Sequence, residues 1–129
     1  MERQYSDRLS QAKVDRICRI INSELYQGEA YMQQGLTAKA IAQRHGISVQ
    51  DISAVATTCF GGNFSTLLQR LRVRRVCRML GSKEYENVSC ENIGLRCGFS
   101  NRQSLYNAFR KLRGMTPVQY RQQNLKTNE

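Results

Sequence analysis

The sequence predicts an all-α fold of about seven helices, in which two similar subdomains are joined by one long linking helix. Three observations carry this. Between Val88 and Arg121, apolar residues recur at helical spacing and are punctuated by capping residues and glycines. The same punctuation occurs earlier: Ile41, Arg44, Gly46 and Ser48 recur as Ile93, Arg96, Gly98 and Ser100 at an offset of 52, and Ile52 and Gly61 recur as Leu105 and Gly114 at an offset of 53. The second copy thus carries one extra residue, expected at the start of its second helix. Between the copies, Phe64 to Leu80 reads as a single helix.

Taken in order, residues 1–13 are polar, mixed in charge and without sustained period, and read as a flexible arm. The first subdomain is expected over residues 14–63. Val14, Ile17, Cys18, Ile21 and Leu25 trace a helical stripe that Gly28 follows. This helix reads as scaffold, with a dimer face as the alternative. Thr37 caps a helix over Ala38–His45, whose alanines 38, 40 and 42 allow a neighbour to approach closely. Gly46 and Ile47 turn the chain. Ser48, with Asp51 three residues on, then opens a second helix from Val49 to about Cys59 in the manner of a capping box. Its inward residues are expected to be Ile52, Val55, Ala56 and Cys59, and its outward ones Gln50, Ser53, Ala54 and Thr57.

The linking segment, residues 64–81, sets Leu67, Leu68, Leu71 and Leu80 on an apolar side. Arg70, Arg74 and Arg78 line up at i, i+4 and i+8, and Arg72 and Arg75 add a second row. Gly81–Asn87 is a loop. In the second subdomain, residues 82–124, Ser89 caps a helix with Cys90, Ile93 and Cys97 on one face, and Gly98 ends it. Ser100 with Gln103 forms another capping box. The helix it opens, Asn101–Leu112, buries Leu105, Phe109 and Leu112 and turns Arg102, Gln103, Tyr106, Asn107 and Arg110 outward. Gly114 closes it. Thr116 and Pro117 begin a third helix, because Pro at the first helical position loses no hydrogen bond. Residues 125–129 read as a tail.

A short helix, a glycine turn and a second helix of this size form the helix-turn-helix pattern. The tandem form resembles the AraC family of bacterial transcription regulators over roughly Val14 to Arg121. The most specific part is Gly98-Phe99-Ser100 followed by Phe109, Arg110, Lys111, Gly114-Met115-Thr116-Pro117 and Tyr120-Arg121. The first half matches through Ser48, Ile52, Gly61, Leu71-Arg72 and Met79-Leu80. The resemblance implies two helix-turn-helix subdomains, each offering its second helix to a major groove of duplex DNA, and no catalysis. It makes Gln50, Ser53 and Thr57 in the first copy, and Arg102, Gln103, Tyr106 and Asn107 in the second, candidates for reading bases. Arg102 suits guanine O6/N7, and Gln50 and Gln103 suit adenine N6/N7. Gln103 is alternatively no more than a capping residue. Thr37, Arg72, Arg75, Arg110 and Lys111 are candidates for the phosphate backbone, Arg72 because it matches an arginine of the family's linking helix.

The sequence also departs from the family. Ala54 and Ala56 stand where an arginine and an aromatic are usual, so the first reader is short of long donors, and Asn107 replaces the usual arginine in the second. A 17-residue linking helix spans on the order of 25 Å, against roughly 34 Å between successive major-groove faces. Docking of both readers is therefore expected to bend DNA by a few tens of degrees, the alternative being that one reader sits shallow.

Composition agrees with a polyanionic partner. The net charge is +10 over 129 residues, and its distribution is uneven. Residues 1–51 hold seven Lys/Arg against six Asp/Glu, whereas residues 52–128 hold thirteen against three. Each cation set beside a phosphate releases a condensed counterion. There is no run of 18 apolar residues and no secretory signal, so a cytoplasmic chain without membrane contact is expected. Cys18, Cys59, Cys77, Cys90 and Cys97 form no CxxC pair and are expected mostly as buried core thiols. With His45 the single histidine, no metal site, cofactor or catalytic set is expected. The functional expectation is sequence-specific DNA binding that regulates bacterial transcription, with RNA polymerase as a further partner. The chain is then a stand-alone regulator or the output end of a longer protein with a sensor domain. The alternative is a protein-interaction module, an antagonist of a larger regulator that uses the same helices.

Overall fold

The computed structural model describes residues 9–128, with side chains to residue 125. Of the expected arm, residues 1–8 lie outside the described residues. Gln11–Lys13 do not belong to an arm, because they open α1 (Gln11–Ile21): the Ser10 side chain accepts from Lys13 N and caps it. A π-type turn, Asn22–Tyr26, extends α1, and a short 3-10 turn, Ala30–Met32, follows. Next come α2 (Ala38–His45), α3 (Val49–Phe60) and α4 (Phe64–Leu80). Another 3-10 turn, Lys83–Tyr85, leads to α5 (Cys90–Arg96), α6 (Arg102–Arg113) and α7 (Pro117–Asn128). No strand occurs among the described residues. Residues 125–128, expected as tail, continue α7.

The chain divides into two compact units. The first runs to Tyr31 and resumes over Gly35–Leu68; the second takes Met32–Gln34 and everything from Gln69. The linking helix is thus shared, its first five residues packing with the first unit and the rest with the second.

In the first unit, α3 packs against both α1 and α2. Ile17, Ile20, Ile21, Leu25, Ile41, Ile52 and Val55 are buried there. Thr37 caps α2 by accepting from Ala40 N, and Gly46 ends it at φ 65°, a conformation open to glycine at little steric cost. Polar contacts then fix the register of α1 on its neighbours. Lys13 Nζ lies 2.8 Å from the buried carboxylate of Asp51, in the first turn of α3. Arg16 donates to the carbonyl of His45 at 2.9 Å. Tyr26 stacks on Phe60, with centroids 5.8 Å apart and planes 7° from parallel.

The second unit is built on one apolar cluster. Val73, Val76, Cys77, Met79 and Leu80 of α4 meet Cys90 and Ile93 of α5, Cys97 and Phe99 of the turn, and Leu105, Ala108 and Phe109 of α6. Phe109 meets Tyr120 of α7 edge to face at 5.6 Å. α7 opens as the sequence predicts and adds a reciprocal capping box: Gln119 N donates to Thr116 Oγ1, and Thr116 N donates to Gln119 Oε1. Met32–Gln34 belongs to this unit through two hydrogen bonds. Arg72 donates to the carbonyl of Gln33 at 2.8 Å, and Gln34 Nε2 donates to the carbonyl of Phe99 at 3.2 Å.

The turns of the two copies differ in a way the sequence pattern misplaced. The cap of α6 is Asn101, whose Oδ1 accepts from both Ser104 N (2.8 Å) and Ser104 Oγ (3.1 Å), and Ser100 is not the cap. Asn101 therefore corresponds to Ser48 at an offset of 53. The extra residue lies in the turn and not in the helix. Asparagine and serine cap about equally well, so the geometry of the turn after Gly98, at φ 108°, decides between them.

Candidate nucleic-acid interface

Moving the cap changes what Gln103 can do. At the second position of α6, it no longer stands where a capping-box side chain reaches back, and its Nε2 instead donates to Asn107 Oδ1 at 3.3 Å, on the exposed face. Arg102, Gln103, Asn107 and Arg110 are exposed, and Tyr106 is half-buried. All five line one open cleft with Asn101 and Glu91. The Arg102 guanidinium carbon sits 4.7 Å from the centre of the Tyr106 ring, a cation–π contact that restricts where the guanidinium points. Glu91, on the first turn of α5, brings the one carboxylate into this cleft. A search for outward positions along α6 could not have found it, since it lies on another helix.

The first copy offers less. On α3, Gln50 is exposed and Ser53 and Thr57 are half-buried, so the expected face exists. Two expected positions are corrected. Ala54 is buried, because α3 is flanked by two helices and its covered arc is wider than a single stripe; Cys59 is exposed in the last turn, where the neighbouring Phe60 makes the contact with Tyr26. The alanine at 54 is therefore wall and not a shortened reader. Its counterpart Asn107 is exposed on α6, so matched positions in the two copies meet different surroundings.

The candidate phosphate contacts also sort by surroundings. Arg110 and Lys111 are exposed in the last turn of α6, where cations are also favoured by the helix dipole. Arg70, Arg74 and Arg78 are exposed along α4, and Arg75 is half-buried. Arg72 is half-buried; burial lowers its pKa from the ordinary arginine value, and part of its guanidinium is committed to Gln33. The Thr37 hydroxyl is exposed but already accepts from Ala40 N.

Three of the five thiols, Cys77, Cys90 and Cys97, lie in the second unit's core, where burial pushes them above the ordinary thiol pKa, Cys97 to about 11. Cys18 is half-buried. No described helix is long and apolar enough to cross a membrane.

Residues 41–123 match the family described as helix-turn-helix domain. Among solved structures, the chain is similar to the C-terminal domain of AraT, a response regulator from Geobacillus stearothermophilus, with 25% identity, a TM-score of 0.68, and 90% of this chain and 88% of that chain covered. It is also similar to an AraC-type transcriptional regulator from Chromobacterium violaceum, with 24% identity, a TM-score of 0.64 and coverage of 88% and 93%. A Listeria innocua protein of unknown function superposes with a TM-score of 0.72 at 21% identity, covering 82% and 95%. No curated protein matches in sequence.

Proposed function

The chain belongs to the AraC-type helix-turn-helix family and is a DNA-binding domain of transcription regulation, and from that premise we propose that it reads duplex DNA by sequence in the major groove, chiefly through α6. The observation that carries the proposal is the exposed face of α6. Two guanidiniums, two side-chain amides and a phenol converge there on one open cleft. Arg102, held over Tyr106, is set to pair with guanine O6/N7. Gln103 and Asn107, which bond to each other in the free chain, exchange that bond for a base edge. Glu91 repels phosphate and favours an amino donor such as cytosine N4.

On α3, Gln50 reads adenine, with Ser53 and Thr57 as short-range contacts, so the first copy contributes less discrimination. Arg110, Lys111, Arg75 and Thr37 hold the backbone, and Arg72, which also donates to the Gln33 carbonyl, reaches a phosphate. RNA polymerase as a second partner, and a sensor domain in a longer protein, belong to the same regulatory reading.

The test is selection from a random duplex library at about 0.15 M salt, repeated with Arg102→Ala and Gln103→Ala. A discrete site should emerge, and each variant should relax base preference at its own position by about 1–3 kcal/mol. Uniform binding of all duplexes, with one steep salt dependence, would overturn the proposal.

A further inference from the structure

The observed caps set the two reading helices in register. Ser48 caps α3 and Asn101 caps α6, so Val49 and Arg102 are the first helical residues, Gln50 and Gln103 the second, and Ser53 and Tyr106 the fifth. A cap at Ser100 would pair Val49 with Asn101. The geometry pairs it instead with Arg102, the guanidinium that rests on Tyr106.

Val49 has no use inside the fold. It is 41% exposed, and among the described residues only Tyr26 and Val118 are large apolar side chains as open. Tyr26 stacks on Phe60, and Val118 lies on α7, outside both reading helices. A β-branched residue is also a weaker helix former than alanine, so neither burial nor propensity accounts for valine at this place. Its neighbour Gln50 is exposed as well, and α3 carries no Lys or Arg.

We propose that Val49 is a specificity-determining residue of the first reader, whose methyl groups pack on the C5-methyl of a thymine in the major groove. The inference rests on the reading of duplex DNA proposed above and adds a residue and a base to it. The N-terminal residues of a reading helix face base edges, and the thymine methyl is the apolar group that those edges present in the major groove. Valine has no side-chain donor, so a guanine at that base pair has its O6 and N7 acceptors covered without a partner, which costs binding. The two readers therefore share a preference for adenine, through Gln50 and Gln103, and differ at the neighbouring base: thymine for α3, guanine for α6.

The wild-type site is first selected from a random duplex library, and each thymine in it is then replaced singly by uracil, which removes only the methyl. At one thymine, outside the base pairs that Arg102→Ala and Gln103→Ala relax, the replacement should weaken wild-type binding about fourfold, the worth of one buried methyl. Val49→Ala should bind the thymine and uracil duplexes alike, and Val49→Arg should move preference at that base pair to guanine. A site that Arg102→Ala relaxes, but in which no uracil separates wild type from Val49→Ala or Val49→Arg acquires no guanine, overturns this inference and leaves reading by α6 standing. The absence of any selected site overturns both. Should a variant fail to fold, the wild-type uracil series still decides, since a site with no methyl-dependent thymine outside the pairs read by α6 overturns the inference.

Discussion

At the scale of single residues, Gly94 is a position with little room. A Cβ placed there would come within 2.7 Å of Leu105 Cδ2 and 3.1 Å of Cδ1. Leu105 is fully buried and has little space in which to swing away. Glycine inside a helix costs about 1 kcal/mol relative to alanine, so the chain gives up helix propensity to bring α5 onto α6. Gly94→Ala recovers that propensity but presses a methyl onto Leu105, an overpacking cost of about 1–3 kcal/mol, so it should destabilise by about 1 kcal/mol net. Gly94→Val adds branched bulk and should destabilise by about 2 kcal/mol, read as a lower urea midpoint at unchanged slope. In the first copy the corresponding residue is Ala42, also buried, so the α2–α3 crossing accommodates the methyl that the α5–α6 crossing excludes.

Glu24 makes a second prediction at this scale. Burial raises its pKa, but hydrogen bonds from His45 and Arg44 and their charges outweigh that, leaving it below the ordinary 4.5. A carboxyl with a lowered folded pKa adds stability above its unfolded pKa and loses it as pH falls through the folded one. The stability advantage of wild type over Glu24→Gln should therefore be full above about pH 5 and shrink as the solution is acidified below about pH 4.5. Urea unfolding of both proteins across that window checks it, and a gap that stays constant would contradict the linkage.

At the scale of elements, the sequence was most readable where one residue type had no competitor. The bounds of α2 and the starts of α3 and α7 follow from Thr37, Gly46, Ser48 and Pro117, each a strong signal at its position. The start of α6 was misplaced because Ser100 and Asn101 are adjacent good caps, and periodicity does not choose between them. Ala54 and Cys59 were misassigned for a related reason. A helical stripe indicates which direction is inward, but the width of the buried arc depends on how many helices flank it. The cap assignment is directly testable. Asn101→Ala removes the acceptor of Ser104 N and should cost about 1 kcal/mol, whereas Ser100→Ala should be nearly neutral. Equal losses, or a larger loss at Ser100, would move the cap back.

At the scale of the whole molecule, charge and recognition separate. The excess of cations was legible from composition, and so was its concentration after residue 51. Which cations face a phosphate was not, because a sequence does not say that Arg72 already serves Gln33 or that Arg102 rests on Tyr106. Counterion release gives each phosphate contact on duplex DNA a contribution of about 0.9 to the log–log salt slope, whereas a base contact made without neutralising a phosphate contributes none. Arg110→Ala and Lys111→Ala should therefore each flatten the slope by about one and weaken all duplexes alike. Gln103→Ala should leave the slope unchanged and alter preference at a single base pair. Arg72→Ala should do two things at once, flattening the slope and lowering the unfolding midpoint, since its guanidinium also holds the Gln33 segment to the second unit. If Arg72→Ala lowers stability and leaves the slope intact, the residue only braces the fold, and the backbone contacts reside in the exposed cations of α6.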